Sequence, residues 1–223
     1  MPLHRYASLV FDCDGVVLDS NRLKTEAFGQ AAAAYGPEAA RAMVDHHVAH
    51  GGVSRYAKFA HFLDRIVPQV APGRDGPGLE ALLEAYAAGV REGLATCAVA
   101  EGLEALRALT PGVRWLIVSG GDQAELREVF AARGLAEMFD GGIFGSPDTK
   151  DAILARELAA GTVRRPALFV GDSRLDHEAA GRAGHDFVYV SGWSEWREGP
   201  QLAAAGAFPA VPALADLLPR AAG

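Results

Sequence analysis

The sequence predicts an α/β fold, a doubly wound parallel sheet interrupted by an all-helical insert. Three observations predict it. After residue 100, apolar strand-like runs alternate with helical stretches, the rhythm of a parallel sheet with right-handed crossovers. Several runs, such as Ser8-Leu9-Val10-Phe11 and Leu116-Ile117-Val118, are almost continuously apolar, as strands covered on both faces are. Between about 20 and 97 the rhythm stops and only helical periodicity remains.

The first strand is expected at 7–12 (ASLVFD). Helices follow near 20–34, 37–49, 54–66 and 78–98, separated by Gly36-Pro37, by Gly51-Gly52 and by the Gly/Pro-rich loop 72–78. Further strands are expected at 114–119, 141–145, 167–172 and 186–191, and helices at 100–109, 122–133, 149–160 and 174–183. Asp122 and Thr149 stand where helix N-caps belong. The alanine-rich tail from about 200 reads as loop, then a short helix at 212–219. The expected division is an α/β core, 1–19 and 98–223, around a helical domain, 20–97.

Composition narrows the function. The chain has 223 residues, 50% apolar and 22% charged, with a formal net charge of −7. Excess negative charge without a Lys/Arg stripe argues against nucleic acid as a partner. No apolar run reaches the length of a membrane span. The first strand begins too early for a cleaved signal peptide, so a cytoplasmic protein, monomer or homodimer, is expected. Cys13 and Cys97 suggest no disulfide framework. Cys13 also lacks the Arg six residues on that a cysteine phosphatase needs, because Asp19 stands there. Both cysteines read as core.

Chemistry-bearing residues recur at strand ends. Asp12 and Asp14 follow the first strand, Ser119 ends the second, and Lys150 lies just beyond the third. Asp172 ends the fourth, with Asp176 four positions on. In a parallel sheet these ends share one edge, where open α/β folds bind ligands. Carboxylates for Mg²⁺, a nucleophile, a hydroxyl and an ammonium are the mixture that phosphoryl transfer uses.

The motifs Asp12-Cys13-Asp14-Gly15-Val16, Ser119, Lys150 and Gly171-Asp172-Ser173-Arg174-Leu175-Asp176, in this order, resemble the haloacid dehalogenase (HAD) superfamily. The resemblance is to its phosphatase branch with a helical cap, the phosphoglycolate phosphatase and β-phosphoglucomutase-like proteins. It implies a Rossmann-like core, Asp12 as nucleophile, Asp14 as general acid/base, and Ser119 and Lys150 on the phosphoryl group. It implies Mg²⁺ held by Asp12, the Asp14 backbone carbonyl, Asp172 and Asp176. One departure is that Gly-Ser-Pro precedes Lys150, where the family often has a Pro-containing segment after its Lys.

The insert carries a basic cluster. His46, His47 and His50 precede Gly51-Gly52, and Arg55 and Lys58 follow with Ser54 as the expected N-cap. Arg55 and Lys58 share a helix face and are expected to meet an anionic or hydroxyl-rich leaving group, with Gly120 also at the substrate. The alternative is a solvated face with core histidines; a histidine metal site lacks accompanying ligands. The expected activity is Mg²⁺-dependent hydrolysis of a small phosphomonoester, a sugar phosphate or a phosphoglycolate-like compound. A hexose-phosphate mutase and a catalytically silent phosphate-binding or scaffolding protein remain as alternatives.

Overall fold

A computed structural model describes residues 2–219. Its strands are β1 Ser8–Phe11, β2 Arg114–Asp122, β3 Gly142–Ser146, β4 Ala167–Gly171, β5 Asp186–Val190 and β6 Ala210–Val211. They form one sheet in the order β3-β2-β1-β4-β5-β6, and every ladder is parallel. The α/β, doubly wound expectation is met. The direction of winding reverses between β1 and β4, so their carboxyl ends flank the crevice where such sheets bind ligands.

The apolar runs are continuous because each strand serves two cores. Leu9 and Phe11 of β1, Trp115 and Ile117 of β2, and Leu168 and Val170 of β4 face one side. There they meet α6 Leu103–Leu109 and α7 Gln123–Ala132. Val10, Leu116, Val118 and Phe169 face the other, against α8 Lys150–Ala159 and α9 Arg174–Ala183. Successive side chains of a strand point to opposite faces, and here both faces are dry. Asp122 caps α7 by accepting from the Glu125 N–H, and Thr149 caps α8 by accepting from Ala152.

Between β1 and β2 lie α1 Asn21–Ala32, α2 Pro37–Ala49, α3 Arg55–His61, α4 Val67–Val70 and α5 Leu79–Thr96. They surround an apolar cluster of their own that includes Phe28, Met43, Phe59, Phe62, Leu82 and Tyr86. Phe28 and Tyr86 pack with tilted rings, centroids 4.4 Å apart. Ser54 caps α3 through Ala57. A π-helical turn, Phe62–Ile66, joins α3 to α4 just before Pro68, which has no N–H to give to a regular helical ladder.

The C-terminal region differs from expectation. The stretch read as loop holds α10 Gly199–Ala204 and β6, and the helix expected at 212–219 is only a 3₁₀ turn, Leu214–Leu217. β6 is two residues long between Pro209 and Pro212, so its ladder is too short to produce a periodic signal. Both cysteines are free: Cys13 is buried and Cys97 packs partly exposed against the core. Among the described residues no helix is long and apolar enough to cross a membrane.

Candidate active site

Asp12 leaves β1 at the crevice, almost fully buried. Its Oδ1 accepts from the Cys13 N–H at 2.7 Å and its Oδ2 lies 2.9 Å from Lys150 Nζ. The chain then turns at Gly15, whose φ is +73°. A Cβ there would meet Asp172 Oδ2 at 2.2 Å, so both backbone shape and lack of space require glycine.

Lys150 sits at the first position of α8, where the helix dipole disfavours a cation. What holds it there is two carboxylates, Asp12 and Asp176, the latter at 2.5 Å. Burial lowers the Lys150 pKa, but those two partners outweigh burial and raise it above its ordinary value. Asp12 moves the other way. Burial pushes its carboxyl up to about 7 even against Lys150. Asp172 is pushed well above the carboxylate range by burial, then by its neighbours Asp12 and Asp176.

Asp176 belongs to a capping box. Its Oδ2 accepts from the Ser173 N–H and hydroxyl, and the Ser173 hydroxyl accepts from the Asp176 N–H. The same Oδ2 takes the Asp172 N–H at 3.2 Å. One carboxylate therefore shapes the loop carrying Asp172 and holds Lys150.

Asp12, Asp172 and Asp176 each offer an oxygen, all within 4.8 Å of one another. A buried, all-oxygen set with excess negative charge suits a hard divalent cation such as Mg²⁺. The Asp14 backbone carbonyl takes part in none of the hydrogen bonds of its turn and can join the set. Asp176 is the weakest donor, because Lys150, Ser173 and the Asp172 N–H already occupy its oxygens.

The Asp14 side chain makes different contacts. Lys24 Nζ lies 2.7 Å from both its oxygens, and the Ser20 hydroxyl donates to Oδ1 at 2.5 Å. Burial pushes the Asp14 carboxyl up, but Lys24 and these hydrogen bonds reverse the shift and hold it below its ordinary value. Asn21 donates to Asp172 Oδ2 at 2.6 Å. Ser20, Asn21 and Lys24 cluster where the insert begins and belong to no strand-end motif. An Asn and a Lys three apart at a helix start were the only signal.

Ser119 is fully buried, and its Oγ accepts from the Gly121 N–H at 3.0 Å. Here the β2–β3 ladder breaks register, between Val118 and Asp122, which turns Gly120 and Gly121 toward the cavity. Gly120 meets the insert directly. A Cβ on it would lie 2.1 Å from the Gly52 carbonyl oxygen. Gly120→Ala is expected to hold the two surfaces apart and lower kcat/KM about 100-fold, the effect of an ångström-scale misplacement, without unfolding the protein. Steady-state kinetics with a circular dichroism melt checks this.

Arg55 and Lys58 line the same cavity, but neither is a solvated helix face: they are 6% and 2% exposed. Arg55 forms a two-pronged pair with Glu125 of α7, and the neighbouring Tyr56 hydroxyl donates to Asp122 at 2.7 Å. These bonds fasten the insert to the core. Lys58 Nζ lies 2.7 Å from His47 Nδ1, and burial lowers its pKa to about 7. Burial, then Lys58, keeps His47 neutral. His46 stacks on His61 and packs against His50, each at 4.2 Å. Stacked rings do not converge on a metal, and among the described residues no histidine joins a possible ligand group.

The arrangement places a buried carboxylate, an all-oxygen carboxylate set suited to a divalent cation and an ammonium on one side of a small cavity. An insert supplies the other side. Solved structures share the fold. A predicted phosphoglycolate phosphatase from Haemophilus somnus aligns with TM-score 0.73 at 18% identity, over 96% of this chain and 96% of that one. CbbY from Rhodobacter sphaeroides, in complex with phosphate, aligns with TM-score 0.69 at 21% identity, over 95% and 96%. A predicted phosphatase from Clostridium acetobutylicum aligns with TM-score 0.68 at 17% identity, over 95% and 96%. No curated protein matches the sequence at a significant level. The model of the haloacid dehalogenase-like hydrolase family, however, matches residues 6–184. That match spans most of the chain, and this protein therefore belongs to the haloacid dehalogenase-like hydrolases.

Proposed function

We propose that this hydrolase is a Mg²⁺-dependent phosphatase acting on a small phosphomonoester, with 20–97 as a cap domain over a core of 1–19 and 98–223. One observation carries the reading. Asp12, at the winding reversal, is held 2.9 Å from a buried Lys150 and within 4.8 Å of the Asp172 and Asp176 ligand atoms. The relative crystallised with phosphate supports a small phosphoester.

Asp12 attacks phosphorus and carries the phosphoryl group as an acyl phosphate. Lys150 and the Ser119 hydroxyl, with the Gly120 backbone, neutralise or donate to the phosphoryl oxygens. Bound to Asp12, Asp172, Asp176 and the Asp14 carbonyl, Mg²⁺ would counter the burial, and the lesser effect of Asp176 and Asp14, that push the Asp12 carboxyl up to about 7. Asp14 protonates the leaving oxygen and then takes a proton from water. The ionised Asp14 that Lys24 and Ser20 hold suits the second half. The first half needs it to leave Lys24 and gain a proton. Lys58 faces the leaving group, while Arg55 lines the same cavity with its guanidinium held by Glu125.

Turnover of 4-nitrophenyl phosphate is expected to require Mg²⁺ and to collapse in excess chelator. Asp14→Asn is expected to slow an alkyl phosphate about 100-fold or more, and the aryl phosphate less, because nitrophenolate leaves without a proton. Full turnover in chelator overturns the metal assignment, and equal losses on both esters overturn the role of Asp14.

A further inference from the structure

We propose that Glu195 selects the leaving group, and that this group is a neutral polyol, the sugar half of a sugar phosphate, rather than a second anion such as glycolate. The proposal rests on the phosphatase reading and names its substrate class.

Glu195 reaches the cavity on the loop after β5, which is tied down at three points. The Ser194 hydroxyl donates to the Asp172 backbone carbonyl at 2.6 Å. Asn21 donates to the Trp193 carbonyl at 2.9 Å while also holding Asp172. Thr25 of α1 donates to Glu195 Oε2 at 2.7 Å. Glu195 is thus a fixed wall of the cavity. Among the described residues no group donates to its other oxygen, Oε1.

Charge pairing decides what that wall accepts. The insert looks basic in sequence, yet most of its cations at the cavity are already satisfied. Lys24 is spent on Asp14 and Arg55 on Glu125. Arg174, at the cavity rim, pairs with Glu198 at 3.2 Å. Of the cations lining the cavity only Lys58 lacks a carboxylate partner within ion-pair distance, and its neighbour is the neutral His47. Apart from Asp172, which belongs to the metal-ligand set, Glu195 is the cavity carboxylate with no cation within ion-pair distance. Beyond the phosphoryl site, the cavity therefore presents one carboxylate and one amine that burial leaves only partly charged near neutrality, with no cation to spare for a second anion.

Phosphoglycolate would bring a second negative charge to this wall and no free hydroxyl for Glu195. A polyol brings donors to the carboxylate and acceptors to Lys58 and His47. Charged hydrogen bonds of this kind are about twice as strong as neutral ones. A cavity built to receive a hydroxyl at a charged acceptor loses that bond with a ligand that lacks one, and this sets the discrimination. Phe28, Tyr86 and Trp196 add aromatic surface for the C–H face of a sugar ring.

The test separates binding from turnover. Asp12→Asn protein with Mg²⁺ is titrated calorimetrically with phosphoglycolate and a panel of pentose and hexose monophosphates. The best sugar phosphate is expected to bind at least tenfold more tightly than phosphoglycolate. Adding Glu195→Gln, which keeps an acceptor for Thr25 but removes the charge, is expected to shrink that ratio at least fivefold and to tighten phosphoglycolate in absolute terms. Loss of shape alone would weaken both ligands and tighten neither. Phosphoglycolate binding as well as the best sugar phosphate, or a ratio unmoved by Glu195→Gln, overturns the proposal. Selective sugar-phosphate binding with no hydrolysis by the unmodified protein would instead overturn the phosphatase reading and leave the selectivity of Glu195 standing.

Discussion

Asp12→Asn is expected to remove turnover, by a factor of at least about 1,000, while the protein stays folded. The carboxamide is a poor nucleophile and a poorer ligand for a hard cation. The fold should tolerate it because the amide oxygen keeps one of the two contacts, accepting from the Cys13 N–H or from Lys150, and Lys150 keeps its pair with Asp176. Stability is expected to hold or rise slightly at neutral pH. Burial already pushes Asp12 up to about 7, so the native state carries a poorly tolerated charge that the neutral amide lacks. Single-turnover assays and urea denaturation on the same preparation check both halves. Activity within tenfold of the unmodified protein sinks Asp12 as nucleophile.

Lys150→Met is expected to cost both activity and stability. The ammonium is the shared countercharge of Asp12 and Asp176, all three nearly fully buried. Removing one partner from a buried ion pair costs about 3–5 kcal/mol, because the remaining charge stays desolvated. The loss should depend on pH. Without Lys150, Asp12 loses the partner that lowers its pKa, and its folded-state value lies still further above its unfolded one. A carboxyl group raised in this way favours folding while it is protonated. Its penalty grows as pH rises from the unfolded value, near 4, through the folded one. Denaturation should therefore show a smaller gap between Lys150→Met and unmodified protein at pH 5 than at pH 8, and added Mg²⁺ should narrow the gap at pH 8. A pH-independent gap would argue that Lys150 acts by packing its stem.

Legibility in the sequence followed the range of each interaction. β1, β2 and β4 were readable because both faces are dry, which writes an unbroken apolar run. Asp12, Lys150, Asp172 and Asp176 come together because four strand or helix ends converge on one edge, a consequence of topology that the strand order alone supplies. Ser20, Asn21, Lys24 and Glu125 were not readable as site residues. Each acts across the boundary between insert and core, and no periodicity reports which carboxylate a lysine will meet. Arg55 shows the same limit. Its position beside Gly51-Gly52 was legible, but its partner Glu125, 70 residues away, was not. The tail failed for a different reason. Alanine favours helix everywhere, so an alanine-rich segment gives no contrast from which to place α10, and a two-residue β6 has no period at all.

The first turns of α1 bear on how such a protein can be re-engineered. Swapping helical inserts between relatives treats the insert as a detachable module. Here that cut cannot be made at the element boundary. Ser20, Asn21, Lys24 and Thr25 lie in or against the insert's opening helix, yet their side chains complete Asp14, Asp172 and Glu195 of the core. A graft beginning at residue 20 would discard them and strand three carboxylates at once. The exchangeable unit begins after Thr25, and chimeras joined there should keep the floor of the donor-independent half intact.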